Sequence, residues 1–358
     1  MDTLQTEDIA QSTTANTFNQ KKAWIHFAIF GAIMIAGTII VFCTQLGGSS
    51  VLFLVDAIFK TDTMSDPNLL LISQMLPMYL IAMPLFMLLF LILPKGQIVN
   101  RKMNFFHYLT IFPFAMFLTV FCNFFGVLFT TVVSMIKGSE VDNTLLNALD
   151  GVWLGWILLF VVVCAPVFEE LVFRKFIVSR TVKYGEAIPV LLSGFLFGLF
   201  HGNVNQFVYA FALGVLFAYI YVRTGKIIYT ILLHMFVNFV GSFLALLAMQ
   251  HDMMGFVEIA QQQDVELLTE YISANPENVL VIGFYLLVLY SLLGIGFLVA
   301  VAAIVLLIIR LVKKEKPLFD RGEITIPWGR KLFTVLVNPG MIIYILFWLV
   351  MMIVQLFA

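Results

Sequence analysis

The stretch 279–309 reads VLVIGFYLLVLYSLLGIGFLVAVAAIVLLII and holds no Asp, Glu, Lys, Arg or His. A helix needs about 20 predominantly apolar residues to cross the roughly 30 Å hydrocarbon layer of a bilayer. Within that layer its backbone polar groups must bond to one another, as they do in a helix. The stretch therefore reads as a membrane span, and the rest of the chain repeats the pattern. Of 358 residues, 61% are hydrophobic and 11% charged, against about 45–50% and about 25% in soluble domains. The expected fold is an all-α, polytopic transmembrane helix bundle. Its apolar runs are 24–45, 69–93, 105–136, 152–178, 189–204, 207–222, 227–249, 279–309 and 340–357, giving about eight to nine spans. The fifth and sixth are short for a bilayer, and Gly202, Asn203, Val204, Asn205 and Gln206 part them.

Lys and Arg concentrate in cytoplasmic loops, which tests the order of the spans. With the N-terminus cytoplasmic, 18 of the 20 basic residues fall inside, and Lys60 and Lys137 fall outside. The formal net charge of −1 leaves no basic field for nucleic acid, so no nucleic-acid partner is expected. Cys43, Cys122 and Cys164 lie in apolar runs without metal-ligand spacing and read as small hydrophobes.

Residues 1–22 read as a disordered cytoplasmic tail, 23–149 as accessory spans and 150–250 as a core. Residues 251–278 read as an outer loop with six acidic and no basic residues. Within it, Val265, Glu266, Leu267 and Leu268 suggest a short amphipathic helix, and a solvated loop is the favoured reading over a lid. Residues 279–358 hold the last spans around a basic inner segment, 310–331, suited to anionic lipid headgroups. Short loops and the lack of an organellar address point to a prokaryotic plasma membrane.

Ionisable groups deep in a span cost about 2.5–3.5 kcal/mol on insertion scales and mark function. The fourth span carries Glu169, Glu170 and Arg174, His201 ends the fifth, and His234 lies in the seventh. Counted from the inner ends at 1.5 Å per residue, Glu169 lies roughly 16 Å deep, His234 roughly 12 Å and His201 roughly 18 Å. All three share one band reachable from the cytoplasmic side. Residues four apart share a helix face, which pairs Glu170 with Arg174, Phe197 with His201 and His234 with Asn238. Glu169 points about 100° away from Glu170, so one carboxylate can pair with Arg174 while the other is free to act as a base.

These three strings, Glu169 to Arg174, Phe197 to His201 and His234 to Asn238, stand in that order on membrane spans. They resemble the signature Glu-Glu-x-x-x-Arg, Phe-x-x-x-His, His-x-x-x-Asn of the CPBP (CAAX protease and bacteriocin-processing, or Abi) intramembrane endopeptidases. The resemblance covers about residues 150–250. It implies hydrolysis of a peptide bond in a membrane-associated or lipidated protein or peptide. Glu169, aided by His201, would activate a water; His234 and Asn238 would stabilise the oxyanion; Glu170 and Arg174 would support them.

Two alternatives stay open on cofactors. Glu169, His201 and His234 could ligate a zinc ion with one open position. The absence of a His-Glu-x-x-His helix and the Asn four residues after His234 favour glutamate catalysis with no cofactor required. Three functional classes also stand side by side: the endopeptidase, a non-catalytic bacteriocin-immunity or scaffold protein on the same fold, and a transporter or proton relay. Intact motifs favour the first over the second. Only scattered outer polar residues, such as Gln74 and Asn123, speak for the third. Taken singly, the Glu170–Arg174 pair could snorkel at a membrane edge, His201 could cap a helix end, and His234 and Asn238 could be interhelical glue. Membrane lipid is an expected partner, and nothing in the sequence sets an oligomeric state.

Overall fold

The computed structural model describes residues 19–141, 144–315 and 318–357. Eight helices are long and apolar enough to cross a membrane: α1 (Gln20–Phe59), α2 (Pro67–Ile92), α3 (Phe105–Lys137), α4 (Leu154–Tyr184), α6 (Val204–Thr224), α7 (Ile227–Gln250), α10 (Pro276–Val312) and α12 (Pro339–Phe357). A shorter apolar helix, α5 (Ala187–Phe200), precedes α6. Two short helices, α8 (Met253–Gln261) and α9 (Val265–Ala274), precede α10, and α11 (Lys331–Val335) precedes α12. No strand occurs among the described residues. The protein is an integral, multi-pass membrane protein.

Polar side chains set where the helices start. Asn19, Asp66, Asn104 and Asn203 each accept a hydrogen bond from the first turn of the helix that follows, satisfying N–H groups that have no partner inside the helix. α1 is longer than its apolar run. Its 40 residues extend about 60 Å, so it passes through Gly47 and Gly48 and projects beyond the bilayer. Asp56 finishes this projection by accepting from Thr61 Oγ1, the Thr63 amide and the Met64 amide at 2.7–2.9 Å. The expected tail 1–22 lies outside the described residues up to 18, and residues 20–22 already belong to α1. The acidic segment 251–278 contains the short helix expected at Val265–Leu268 as part of α9, with α8 before it: Asp252 and Asp264 cap α8 and α9, and Tyr271 donates to Asp252 at 2.9 Å.

α5 is short, as the fifth apolar run reads in the sequence. Its 14 residues reach only about 21 Å, and the chain turns back at His201, Gly202 and Asn203 into α6. Gly202 takes a left-handed φ of 68°, a conformation that suits glycine. The two helices form a hairpin with both basic-side ends tied, since Arg223 at the end of α6 pairs with Glu186 before α5 at 3.0 Å. The hairpin closes on glycines, as a Cβ on Gly214 would stand 2.7 Å from Gly194 Cα. Close small-residue contact of this kind drives helix association in lipid, where water is not available to push helices together.

α4 packs between this hairpin, α2 and α7. α1, α2 and α12 form one flank, and α3 with α10 the other. Ser193 of α5 donates to the Phe173 carbonyl of α4 at 2.8 Å, fixing the hairpin against the helix that carries both glutamates.

Gly214→Ala is expected to lower stability by about 1–3 kcal/mol through overpacking. Gly294→Ala, whose Cβ would meet nothing within 4 Å, is expected to leave stability unchanged or slightly raised. Thermal unfolding of both variants in the same detergent checks this pair.

Candidate active site

The regular segment Ala165–Glu170 of α4 is bracketed by π-helical turns at Leu158–Cys164 and Leu171–Val178, and a third, Phe239–Leu244, follows Asn238 in α7. Such widened turns occur frequently at functional sites. These three sit on the helices that carry Glu169, Glu170, Arg174, His234 and Asn238, and a further one lies in α2 at Met78–Ala82.

Glu170 and Arg174 are both fully buried, with Glu170 Oε2 3.2 Å from Arg174 Nε. The guanidinium lies over the rings of Phe197 and Phe217, 4.4 and 5.2 Å from their centroids. An arginine in apolar surroundings is held by a carboxylate and by ring faces, both of which favour its charge. The other oxygen, Glu170 Oε1, stands 3.0 Å from His234 Nδ1. With Glu170 ionised beside Arg174, Nδ1 is the donor in this bond, and the ring presents its Nε2 edge to Glu169. Nε2 lies 3.8 Å from Glu169 Oε2. His234 thus stands between the two glutamates.

His201 ends α5, and its Nδ1 lies 2.8 Å from the Phe197 carbonyl. A carbonyl can only accept, so Nδ1 carries the hydrogen and a neutral ring keeps a bare Nε2 able to take a proton or a hydrogen bond. The Phe197 ring packs edge-on against both histidines, with centroids 4.8 Å from His201 and 5.7 Å from His234. Glu169 keeps 18% of its side chain accessible, and no hydrogen bond joins it to His201. Glu169 and His201 are thus two proton acceptors that are not paired to each other.

Asn238 is held differently from His234. Its Nδ2 donates to the Val161 carbonyl on α4 at 2.9 Å, one of the carbonyls in the widened turn. One amide hydrogen is thereby used and the other is left. The structure thus brings Glu169, Glu170, Arg174 and His234 into one connected network. It sets His201 across Phe197 from that network and ties Asn238 to α4 one turn away. The sequence reading missed the Glu170–His234 bond, because spacing along one helix cannot show which carboxylate a second helix selects. It also missed Phe217, whose ring backs Arg174, and Tyr79, which stacks on Phe168 at 5.2 Å and lies within electrostatic reach of Glu169. No motif in α2 or α6 marks these two aromatics.

A zinc site at Glu169, His201 and His234 does not fit this geometry. No group of three His, Cys, Asp or Glu side chains placed to hold a metal ion occurs among the described residues. Glu170, the nearest further carboxylate, is already shared between Arg174 and His234.

Removing one member of a buried ion pair strands the other and costs about 3–5 kcal/mol. Arg174→Met is expected to cost that much. The double variant Arg174→Met/Glu170→Gln is expected to recover part of the loss, read as unfolding temperature in detergent.

Residues 151–240 match the family model described as Type II CAAX prenyl endopeptidase Rce1-like. A Bacillus subtilis (strain 168) protein named "Putative membrane peptidase YdiL" is 32% identical over 104 residues, which are 28% of this chain. The chain spans 42% of the length of that curated relative. No solved structure matches. The matched segment contains all three motifs, from Glu169 through Asn238, carried on α4, α5 and α7, and over residues 151–240 the chain is similar to the Rce1-like endopeptidase family.

Proposed function

We propose that this protein is an intramembrane endopeptidase of the CAAX/Abi type that hydrolyses a peptide bond in a membrane-associated or lipidated protein or peptide. The observation that carries this reading is the Phe197 ring packed against both histidines, one of them 3.8 Å from an accessible Glu169 and the other, His201, with its Nδ1 engaged by the Phe197 carbonyl. Together they offer a carboxylate and a bare imidazole nitrogen to a single water.

In this reading Glu169 takes a proton from the water while His201 Nε2 orients it. The hydroxide oxygen bonds to the scissile carbonyl carbon, and the carbonyl oxygen becomes the oxyanion. In its imidazolium form His234, turned by Glu170, points an Nε2–H at that charge, and the remaining amide hydrogen of Asn238 is a second donor. The C–N bond then breaks as Glu169 returns the proton to the leaving amine. Removal of water from a membrane recess strengthens each of these electrostatic contributions. The donor geometry supports metal-independent catalysis, and no step requires a Lewis acid. The short loops favour a prokaryotic plasma membrane as the location.

The test is cleavage of a set of lipidated and leader-type peptides by the detergent-purified full chain. Glu169→Gln and His201→Ala are each expected to lower the rate about 10²–10⁴-fold, with a chelator leaving the wild type unchanged. Asn238→Ala is expected to lower it about 10²–10³-fold, as for loss of one oxyanion donor. Folded wild type that cleaves while Glu169→Gln cleaves equally well would overturn the assignment of the base. Loss of wild-type activity on chelation would overturn metal independence.

A further inference from the structure

Behind the α5–α6 hairpin lies a cavity that the proposed chemistry does not use. It has a volume of about 540 Å³ and runs between α5, Phe211 of α6 and the segment Trp328–Leu336. Its α5 wall is Ile188, Leu191 and Phe195. These residues lie roughly 120–180° around the helix from Phe197 at 3.6 residues per turn, on the face turned away from Glu169 and His234. From Ala187, beside the Glu186–Arg223 pair, to Phe195 the wall descends about 12 Å, close to the depth of one hydrocarbon leaflet.

The mouth of this trough differs from its walls. Trp328 is 87% exposed and Leu332 68%. Lys331, which also lines the trough, holds its ammonium 5.0 Å from the centre of the Trp328 ring. Tryptophan and lysine together are anchors of the membrane–water interface. The adjoining Arg330 donates to Gln20 at the start of α1 at 2.6 Å, and Lys21 and Lys22 follow in the chain. Among the described residues no carboxylate pairs with Lys21, Lys22, Arg330 or Lys331. The acids nearest in sequence to this segment, Asp320 and Glu323, act on other bases: Asp320 lies 3.5 Å from Arg223, and Glu323 faces Lys183. An apolar trough one leaflet deep thus opens under unpaired cations at headgroup level.

We propose that this trough is a binding site for one anionic phospholipid. An acyl chain lies against Leu191, Phe195 and Leu332, and the phosphate-bearing headgroup meets Lys331 and Arg330. Basic pockets beside membrane helices select anionic headgroups in this way, each Lys or Arg contributing about 1 kcal/mol. Because the lipid would press on the back of α5, it would brace the short helix that ends in His201. The site is independent of whether the protein is a peptidase, and its test reads binding.

The test is native mass spectrometry of the detergent-purified full chain offered phosphatidylglycerol and phosphatidylcholine of equal chain length. The expected result is one phosphatidylglycerol retained in preference to phosphatidylcholine. Lys331→Gln and Arg330→Gln should each weaken retention about fivefold, and Leu191→Trp, which fills the trough, should remove it. Lys313→Gln, in the same basic inner segment but outside the trough, should have no effect. Thermal unfolding of each variant shows that it is folded. Equal retention of the two lipids, or a loss in Lys313→Gln matching that in Lys331→Gln, would overturn the proposal by showing a charged surface without a site.

Discussion

A carboxylate and a guanidinium with no exposed surface are held together inside a membrane bundle, and the site is built around that constraint. Glu170 and Arg174 are buried as a pair, and the guanidinium is further held by the aromatic faces of Phe197 and Phe217. Their union gives α4 a fixed negative oxygen, Oε1, aimed across at α7. That oxygen takes His234 Nδ1 and decides which edge of the imidazole reaches Glu169. The Phe197 ring that backs the guanidinium also touches both histidines, so a single aromatic side chain links the ion pair to each.

The surrounding helices hold this arrangement by short-range devices suited to lipid. The glycine contact between Gly194 and Gly214 brings α5 and α6 together, and the Ser193 bond to Phe173 sets their height against α4. The Gly202 turn stops α5 part-way through the bilayer, which leaves His201 at its tip in the interior rather than at the outer surface. The widened turns of α4 and α7 contribute too, since the Val161 carbonyl within one of them anchors Asn238.

Much of this was legible in the sequence. Apolar runs located the helices, and depth counting put Glu169, His201 and His234 in one expected band; the structure sets His234 3.8 Å from Glu169 and His201 across the Phe197 ring from His234. What stayed hidden has physical reasons. Hydropathy tracks the bilayer, so it ended α1 near Gln45 although the helix runs on to Phe59, where Asp56 closes it outside the lipid. In 251–278 the amphipathic pattern at Val265–Leu268 marked α9, whereas α8 stayed hidden because its cap Asp252 reads in the sequence only as acidity. Regular 3.6-residue spacing cannot register a π turn, so the bond from Asn238 to Val161 was invisible. Spacing separated Glu169 from Glu170 by about 100°, yet it could not show His234 lying between them.

The claim on which the rest depends is that Glu170 fixes the orientation and tautomer of His234. Nitrogen-15 NMR of the histidine-labelled protein tests it directly. The account predicts a protonated Nδ1 on His234 whose resonance shifts when Glu170 is replaced by Gln, together with a protonated Nδ1 and a bare Nε2 on His201 that the replacement leaves in place. An unprotonated His234 Nδ1 in the wild type, or a His234 signal indifferent to Glu170→Gln in a folded protein, would contradict it.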